Sequence, residues 1–347
     1  MTKNQRVEWV DIAKAFAIIL VAIYHSAVIG IPLNLASPVW TKINWALEAF
    51  RMPVFFFASG LFAESLIKRP WKNLWSSRLA LLAWTFVLWT ILRFLYFYAV
   101  PLETRPHETH LPSLLLTPIW PTSGLWFLHA LAIFFVLSKL LARVPLWIKL
   151  TTAAILSALF FSFLSTGNLS YNGMARYYVF FLCGAYFRDV ALRLNQPPQW
   201  GLTAIAFGVL GISMAAIYTF GLGNAFGSKT VLSLIAIAAG CLLARVVAET
   251  PAAQWMAYIG KNTLPIYVQH VILIAAFAAI ADAFLPDDVG GIAHVFPILA
   301  TSIVVPLALL TGAAAAKGKW SRFLFEAPSW LARSDTSRAR PPAIAKL

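Results

Sequence analysis

Apolar residues fall in long blocks along this chain, separated by short polar or Pro- and Gly-bearing joins. A helix needs about twenty predominantly apolar residues to cross a bilayer. The blocks predict ten such spans, near 10–32, 44–66, 79–100, 123–142, 148–165, 174–190, 201–220, 228–248, 263–284 and 292–315. The joins "GIPLNLASP", "NQPPQWG" and "FLPDDVGG" read as connectors. No repeat or low-complexity segment stands out. The expected fold is therefore all-α, a polytopic membrane protein of about ten transmembrane helices.

Composition agrees. Hydrophobic residues make up 60 % of the 347 positions and charged residues 12 %, where a soluble domain is nearer half and a quarter. Fourteen Trp and twenty-six Phe suit interfacial belts and lipid-facing surfaces. The first apolar block is too long for the core of a signal peptide and carries charges, so it reads as a retained first span. Cys183 and Cys241 stand alone in apolar segments, with neither zinc spacing nor a disulfide framework. They read as small core residues.

The net charge of +14 would by itself suggest a nucleic-acid partner. Its placement argues for none. Lys3, Arg6, Lys68, Arg69, Lys72, Arg78, Lys139, Arg143, Lys149, Arg188, Arg193, Arg245 and Lys261 fall on one set of joins, and the end of the chain adds more. The alternate joins hold little beyond Lys42, Arg105 and Lys229. Cations on short loops mark the cytoplasmic side, so both termini are expected there, as an even number of spans requires. A bacterial inner membrane is the expected location. Residues 1–320 read as one membrane domain, and residues 321–347 as a basic, disordered cytoplasmic tail. The long outer join 101–122 carries Glu103, Arg105, His107, Glu108 and His110. On a Pro-rich loop these read as solvated residues, and no metal site is expected.

Ionisable groups inside spans are costly and point to function. In the first span, Lys14 and His25 are eleven residues apart, three helical turns plus roughly 20°, so they share a face roughly 16 Å apart along the axis. Asp11 can pair with Lys14 at i,i+3. The stripe should face a protein interior or a wet cavity, with His25 beyond the midplane. Asp11 and Lys14 read equally well as interfacial anchors. In the second span, Arg51 lies about two turns from the outer side, beside Pro53, and either serves a site or pairs with Glu48. Glu64, Arg93, His129, Arg176 and His270 also fall in or near spans. Several of these converging from different helices would build a polar cavity.

Five stretches together resemble the membrane-bound acyltransferase-3 family. "RVEWVDIAKAFAIILVAIYHS" looks like its first helix, which ends in a His, and "FRMPVFFFASGLF" is similar to its Pro-x-Phe-Phe-x-x-Ser-Gly helix. "GLWFLHAL", "RYYVFFLCGAYF" and "IGKNTLPIYVQHVI" resemble later motifs, in the same order, so the likeness runs from residue 6 to about 315. Lys14 stands where the family typically has Arg, and Arg51 where many relatives have His. The chain is expected to be a standalone membrane unit without an added extracytoplasmic domain.

The resemblance implies an O-acyltransferase, most simply an O-acetyltransferase, with no permanently bound cofactor. Acyl-coenzyme A, in the acetyl form for an O-acetyltransferase, would be the donor, and a hydroxyl of a surface polysaccharide or glycolipid the acceptor. A sugar hydroxyl is a weak nucleophile, and imidazole titrates nearest neutrality, so His25 would be the general base. Lys14, with Arg69 and Lys72 in "KRPWK", would hold the donor's phosphates at the inner mouth. Arg69 and Lys72 also read as simple topology signals. Arg51, Trp126, His129, Arg176 and His270 would serve the acceptor. The competing expectation is a proton-coupled transporter or flippase with His25, Arg51 and His270 as a relay. The missing internal symmetry weighs against it.

Overall fold

The computed structural model describes residues 8–102, 108–121, 124–193, 200–286 and 289–332. Among them it contains ten helices of fifteen residues or more. They are α1 (Glu8–Gly30), α2 (Val39–Gly60), α3 (Trp71–Ala99), α4 (Trp126–Leu140), α5 (Leu146–Ser162), α6 (Leu169–Tyr186), α7 (Trp200–Thr219), α8 (Ser228–Ala248), α9 (Thr263–Phe284) and α10 (Ile292–Lys317). No strand occurs among the described residues.

Seven of the ten are long and apolar enough to cross a membrane by length and composition. The other three are α2, α5 and α6. Helix α2 carries Lys42, Glu48 and Arg51, and α6 carries Arg176. Helix α5, at 17 residues, is about a turn short. Charged side chains inside α2 and α6 are accommodated by neighbouring helices rather than by lipid. Both pack in the middle of the body, where α2 lies between α1, α6 and α8.

Several boundaries differ from the sequence reading, among them the end of α2 at Gly60 rather than 66 and the start of α6 at Leu169 rather than 174. Helix α2 starts at Val39, five residues earlier, because the polar run around Lys42 and Asn44 is helical, with Trp40 and Asn44 turned inward and Lys42 exposed. Helix α3 starts at Trp71, and its turn Trp75–Leu79 is wound as a π-helix. Most of the described cations cluster at one end of the bundle, with Lys42, Arg51, Arg93, Arg176 and Lys229 toward the other. That asymmetry makes the first end cytoplasmic.

Close backbone approach holds the centre together. A Cβ on Gly60 would lie 2.2 Å from the carbonyl oxygen of Phe181, and one on Gly184 2.1 Å from that of Phe57. These two glycines let α2 and α6 touch backbone to backbone, as small residues do in membrane bundles. Gly260, in the short helix Ala253–Lys261, lies equally tight against Asp11 of α1. Helix α6 begins at Asn168, whose side chain accepts from the N–H groups of Ser170 (2.9 Å) and Tyr171 (3.2 Å). In α10, Pro297 cannot donate to the Ala293 carbonyl, and the Ser37 N–H takes that acceptor at 2.9 Å.

The boundary drawn at residue 320 falls inside a packed segment. Three indole N–H groups of α3 donate to it: Trp84 to Phe323 O (2.7 Å), Trp89 to Leu324 O (2.7 Å) and Trp75 to Leu331 O (2.9 Å). Residues 318–332 thus form a strap across the cytoplasmic end. The remainder of the expected tail, 333–347, lies outside the described residues, as do Glu103, Arg105 and His107 of the outer join. Glu108, from that join, is buried and makes a bidentate ion pair with Arg93 (2.6 and 2.9 Å). Among the described residues no group of three His, Cys, Asp or Glu is placed to hold a metal.

Candidate functional site

A cavity of about 640 Å³ occupies the outer half of the bundle. Its walls come from the outer ends of α1, α2, α4 and α6, with Tyr267 of α9. It reaches exposed Thr41 and Leu169, and so opens away from the cytoplasmic end. His25, Arg51, Trp126 and Arg176 all line it. Four residues far apart in sequence, one from each of four helices, therefore line one cavity.

His25 is half-buried and faces this space rather than lipid. Its ring centroid lies 5.0 Å from that of His270 and 4.9 Å from that of Tyr24. His270 itself is buried, and its Nδ1 donates to the Tyr267 carbonyl oxygen at 2.6 Å. That bond assigns a proton to Nδ1 and fixes the ring. His270 thus stands behind the cavity wall, against His25, rather than in the wall.

Arg51 is 7 % exposed. Its Nη1 donates to Asn44 Oδ1 at 3.1 Å, and its guanidinium carbon sits 4.4 Å from the centre of the Tyr24 ring. The carboxylate closest in sequence, Glu48, pairs with Lys229 of α8 at 3.5 Å. Arg51 therefore presents a cation to the cavity with no carboxylate within ion-pair distance among the described residues. Arg176 is held from behind, its Nε donating to Phe160 O at 2.8 Å. Trp126 lies flat against α6, stacked on Tyr177 (5.9 Å, 26°). Gly173 makes this possible, since a Cβ there would fall 2.4 Å from the indole.

The other expected site residues lie elsewhere. Lys14 is buried and pairs with Asp11 at 3.6 Å, beneath the helix Ala253–Lys261. Arg69 and Lys72 are exposed at the cytoplasmic end, and the Arg69 carbonyl accepts from Lys139 Nζ. His129 stacks on Phe86 (5.4 Å) with Nδ1 3.4 Å from Ser170 Oγ, off the cavity wall.

A second cavity, of about 310 Å³, lies at the cytoplasmic end. It shares no lining residue with the first. Helix α9 separates them. Leu264 and Pro265 face the inner cavity, and Tyr267, about 200° around the helix from Pro265, faces the outer one. The Tyr267 hydroxyl donates to Gly124 O (2.9 Å) and accepts from the Phe127 N–H (3.2 Å), which ties this partition to α4. Sequence reasoning did not single out Tyr24, Asn44, Gly173 or Tyr267. Their roles depend on which helices meet, although Tyr24 and Tyr267 do fall inside the quoted stretches ending "AIYHS" and "LPIYVQHVI".

Comparison with known proteins adds identity to this geometry. The family model described as "Acyltransferase domain" matches residues 7–311, nearly the whole helical body. The inner membrane protein YcfT of Escherichia coli (strain K12) is 26 % identical in a 307-residue alignment, which covers 79 % of this chain and 82 % of that protein. The expected inner-membrane location agrees with that relative's name. No solved structure matches significantly. The family match spans the helices that carry the cavity, and the chain belongs to the membrane-bound acyltransferase-3 family: it is a membrane acyltransferase.

Proposed function

We propose that the outer cavity is the site of acyl transfer, from an acyl-coenzyme A donor to a hydroxyl of a cell-surface polysaccharide or glycolipid, with an acetyl group the expected cargo. One observation carries this reading. His25 faces a cavity open to the outer side, beside the Arg51 cation, inside a chain whose family transfers acyl groups.

The chemistry follows from the wall. The acceptor hydroxyl enters from the outer side, where Trp126 offers a flat apolar platform for a sugar ring and Arg176 a cation. His25 takes the hydroxyl proton as the oxygen attacks the thioester carbonyl, a role generally worth about 10²–10⁴ in rate. The carbonyl oxygen gains negative charge as the tetrahedral species forms. Arg51, preorganised by Asn44 and Tyr24, stabilises that charge. Collapse breaks the carbon–sulfur bond, and the thiolate leaves with the proton returned from His25. The ester stays on the acceptor oxygen. His270, hydrogen-bonded to backbone, holds the His25 ring in place from behind.

The donor is cytoplasmic, so its thioester has to reach this cavity past the Tyr267 partition. Exposed Arg69 and Lys72 remain donor-phosphate candidates at that end. Buried Lys14 is better suited to holding the helix Ala253–Lys261 against α1.

The test uses purified full-length protein, radiolabelled acetyl-coenzyme A and membrane glycan. Label should move to glycan as an alkali-labile ester, and His25→Ala should abolish it. No label on any glycan, together with proton-coupled uptake of a glycan into liposomes, would establish the transporter reading instead.

A further inference from the structure

The inner cavity is built from parts that the outer site does not use. Its floor is where α9 and α10 meet. Gly312 permits the approach, since a Cβ there would fall 2.8 Å from Pro265 Cβ. Its wall is the strap after α10, fixed by the three indole donors of α3. Ser321 adds a bond from its hydroxyl to Ala315 O (2.9 Å), and Phe325 stacks on Trp89 (5.6 Å). This anchoring sets the segment that carries Arg322 and Glu326.

Charge on this wall is unbalanced. Lys261 comes from the short helix before α9, Lys317 from the end of α10, and Arg322 from the strap; all three line the cavity. Glu326 is the one acidic residue among its lining. No ion pair within 4 Å joins Glu326 to any of the three cations among the described residues. Two stretches distant in sequence, around 261 and 317–326, thus converge on one space with a formal surplus of two positive charges. The rest of the lining is mostly apolar, including Leu81, Leu264 and Leu309. A volume of about 310 Å³ is at the small end of ligand pockets.

A cationic rim around an apolar slot fits a phosphate group with an apolar or extended chain attached. Arg offers a planar pair of donors to phosphate, and Lys a compact charge. We propose that the inner cavity, rimmed by Lys261, Lys317 and Arg322, binds the phosphate of such a molecule at the cytoplasmic face. Two sources share that chemistry. One is the phosphate of the soluble acyl donor, which would make this the docking point for the reaction proposed above. The other is the headgroup of an anionic phospholipid from the inner leaflet, which needs no acyl transfer at all.

The test uses full-length protein in phosphatidylcholine nanodiscs. Coenzyme A is titrated as the soluble probe. Phosphatidylglycerol, mixed into the nanodiscs, is the lipid probe, and its retention is read by native mass spectrometry. The variants are the triple Lys261→Gln, Lys317→Gln, Arg322→Gln; Ala313→Phe, which fills the cavity while leaving its charges; and Lys319→Gln, an exposed cation on the same face outside the cavity. The triple variant and Ala313→Phe should each weaken one probe at least tenfold, while Lys319→Gln changes it less than twofold. Loss of coenzyme A binding identifies the donor as the source, and loss of phosphatidylglycerol retention identifies the lipid. His25→Ala should leave both probes bound as in the parent, so failure of the acyl-transfer reading is visible separately. Ala313→Phe keeps the test decisive if the triple variant does not fold. The proposal is overturned if both probes bind the variants as they bind the parent, or if Lys319→Gln weakens them as much as the triple does.

Discussion

Arg51→Gln separates structure from chemistry at the outer site. The guanidinium makes two measurable contacts, a bond to Asn44 Oδ1 at 3.1 Å and the face of Tyr24 at 4.4 Å. A hydrogen bond from a charged group contributes about 1.5–3 kcal/mol, and a partly desolvated cation–π contact about 0.5–2 kcal/mol. Burying the cation costs something in return, so the net loss of stability should be about 1–3 kcal/mol. Loss of an oxyanion donor costs about 2.7–4 kcal/mol in the transition state, or 10²–10³ in turnover. Asn44→Ala removes the first contact while leaving the charge. It should therefore share most of the stability loss but lose less than tenfold in turnover. Thermal melting in detergent and turnover of labelled acetyl-coenzyme A, measured on both variants, give the two numbers. If Arg51→Gln keeps turnover within threefold, or if both variants lose it equally, Arg51 is a structural residue and the oxyanion role is refuted.

Other expectations follow from the packing. Gly60→Ala and Gly184→Ala each place a methyl about 2.1–2.2 Å from a carbonyl oxygen. Each should cost about 1–3 kcal/mol or more by forcing α2 from α6, and the double variant should cost less than the sum, read as survival after heating in detergent. Glu108→Ala leaves the buried Arg93 charge without its bidentate partner and should lose about 3–5 kcal/mol, largely recovered in a paired Arg93→Met, Glu108→Met variant. Gly173→Ala should push the Trp126 indole into the outer cavity, raising the acceptor KM several-fold while the melting temperature changes little. An unchanged KM would remove Trp126 from the acceptor platform.

Much of this was legible in the residues themselves. Ten apolar blocks coincide with ten long helices among the described residues, and seven of these have the length and composition that the bilayer sets for a crossing. The 3.6-residue period put Lys14 and His25 on one face, and both do turn inward. Their fates differ for a reason absent from the local sequence. Gly260 brings a short helix tight against Asp11, which closes over Lys14, while the α1–α2–α6 crossing leaves space in front of His25. The start of α2 was misread because Lys42 and Asn44 depress its hydropathy, although Asn44 is consumed by Arg51 inside the bundle. Of the two readings of Arg51, the pair with Glu48 does not form, because α8 supplies Lys229 to Glu48. The apposition of His25 and His270 depends on α1 meeting α9, which no local pattern encodes. Lys261, Lys317 and Arg322 read only as topology signals until the strap folded back and set them around one space.

The central claim concerns the His25 ring, and single-turnover kinetics test it most directly. Enzyme preloaded with labelled acetyl-coenzyme A is mixed with acceptor glycan, and ester formation is followed for the parent, His25→Ala and His25→Gln. Both substitutions should slow the transfer step by about 10²–10⁴ while donor affinity stays within twofold. Transfer at the parent's rate in either variant would contradict the account.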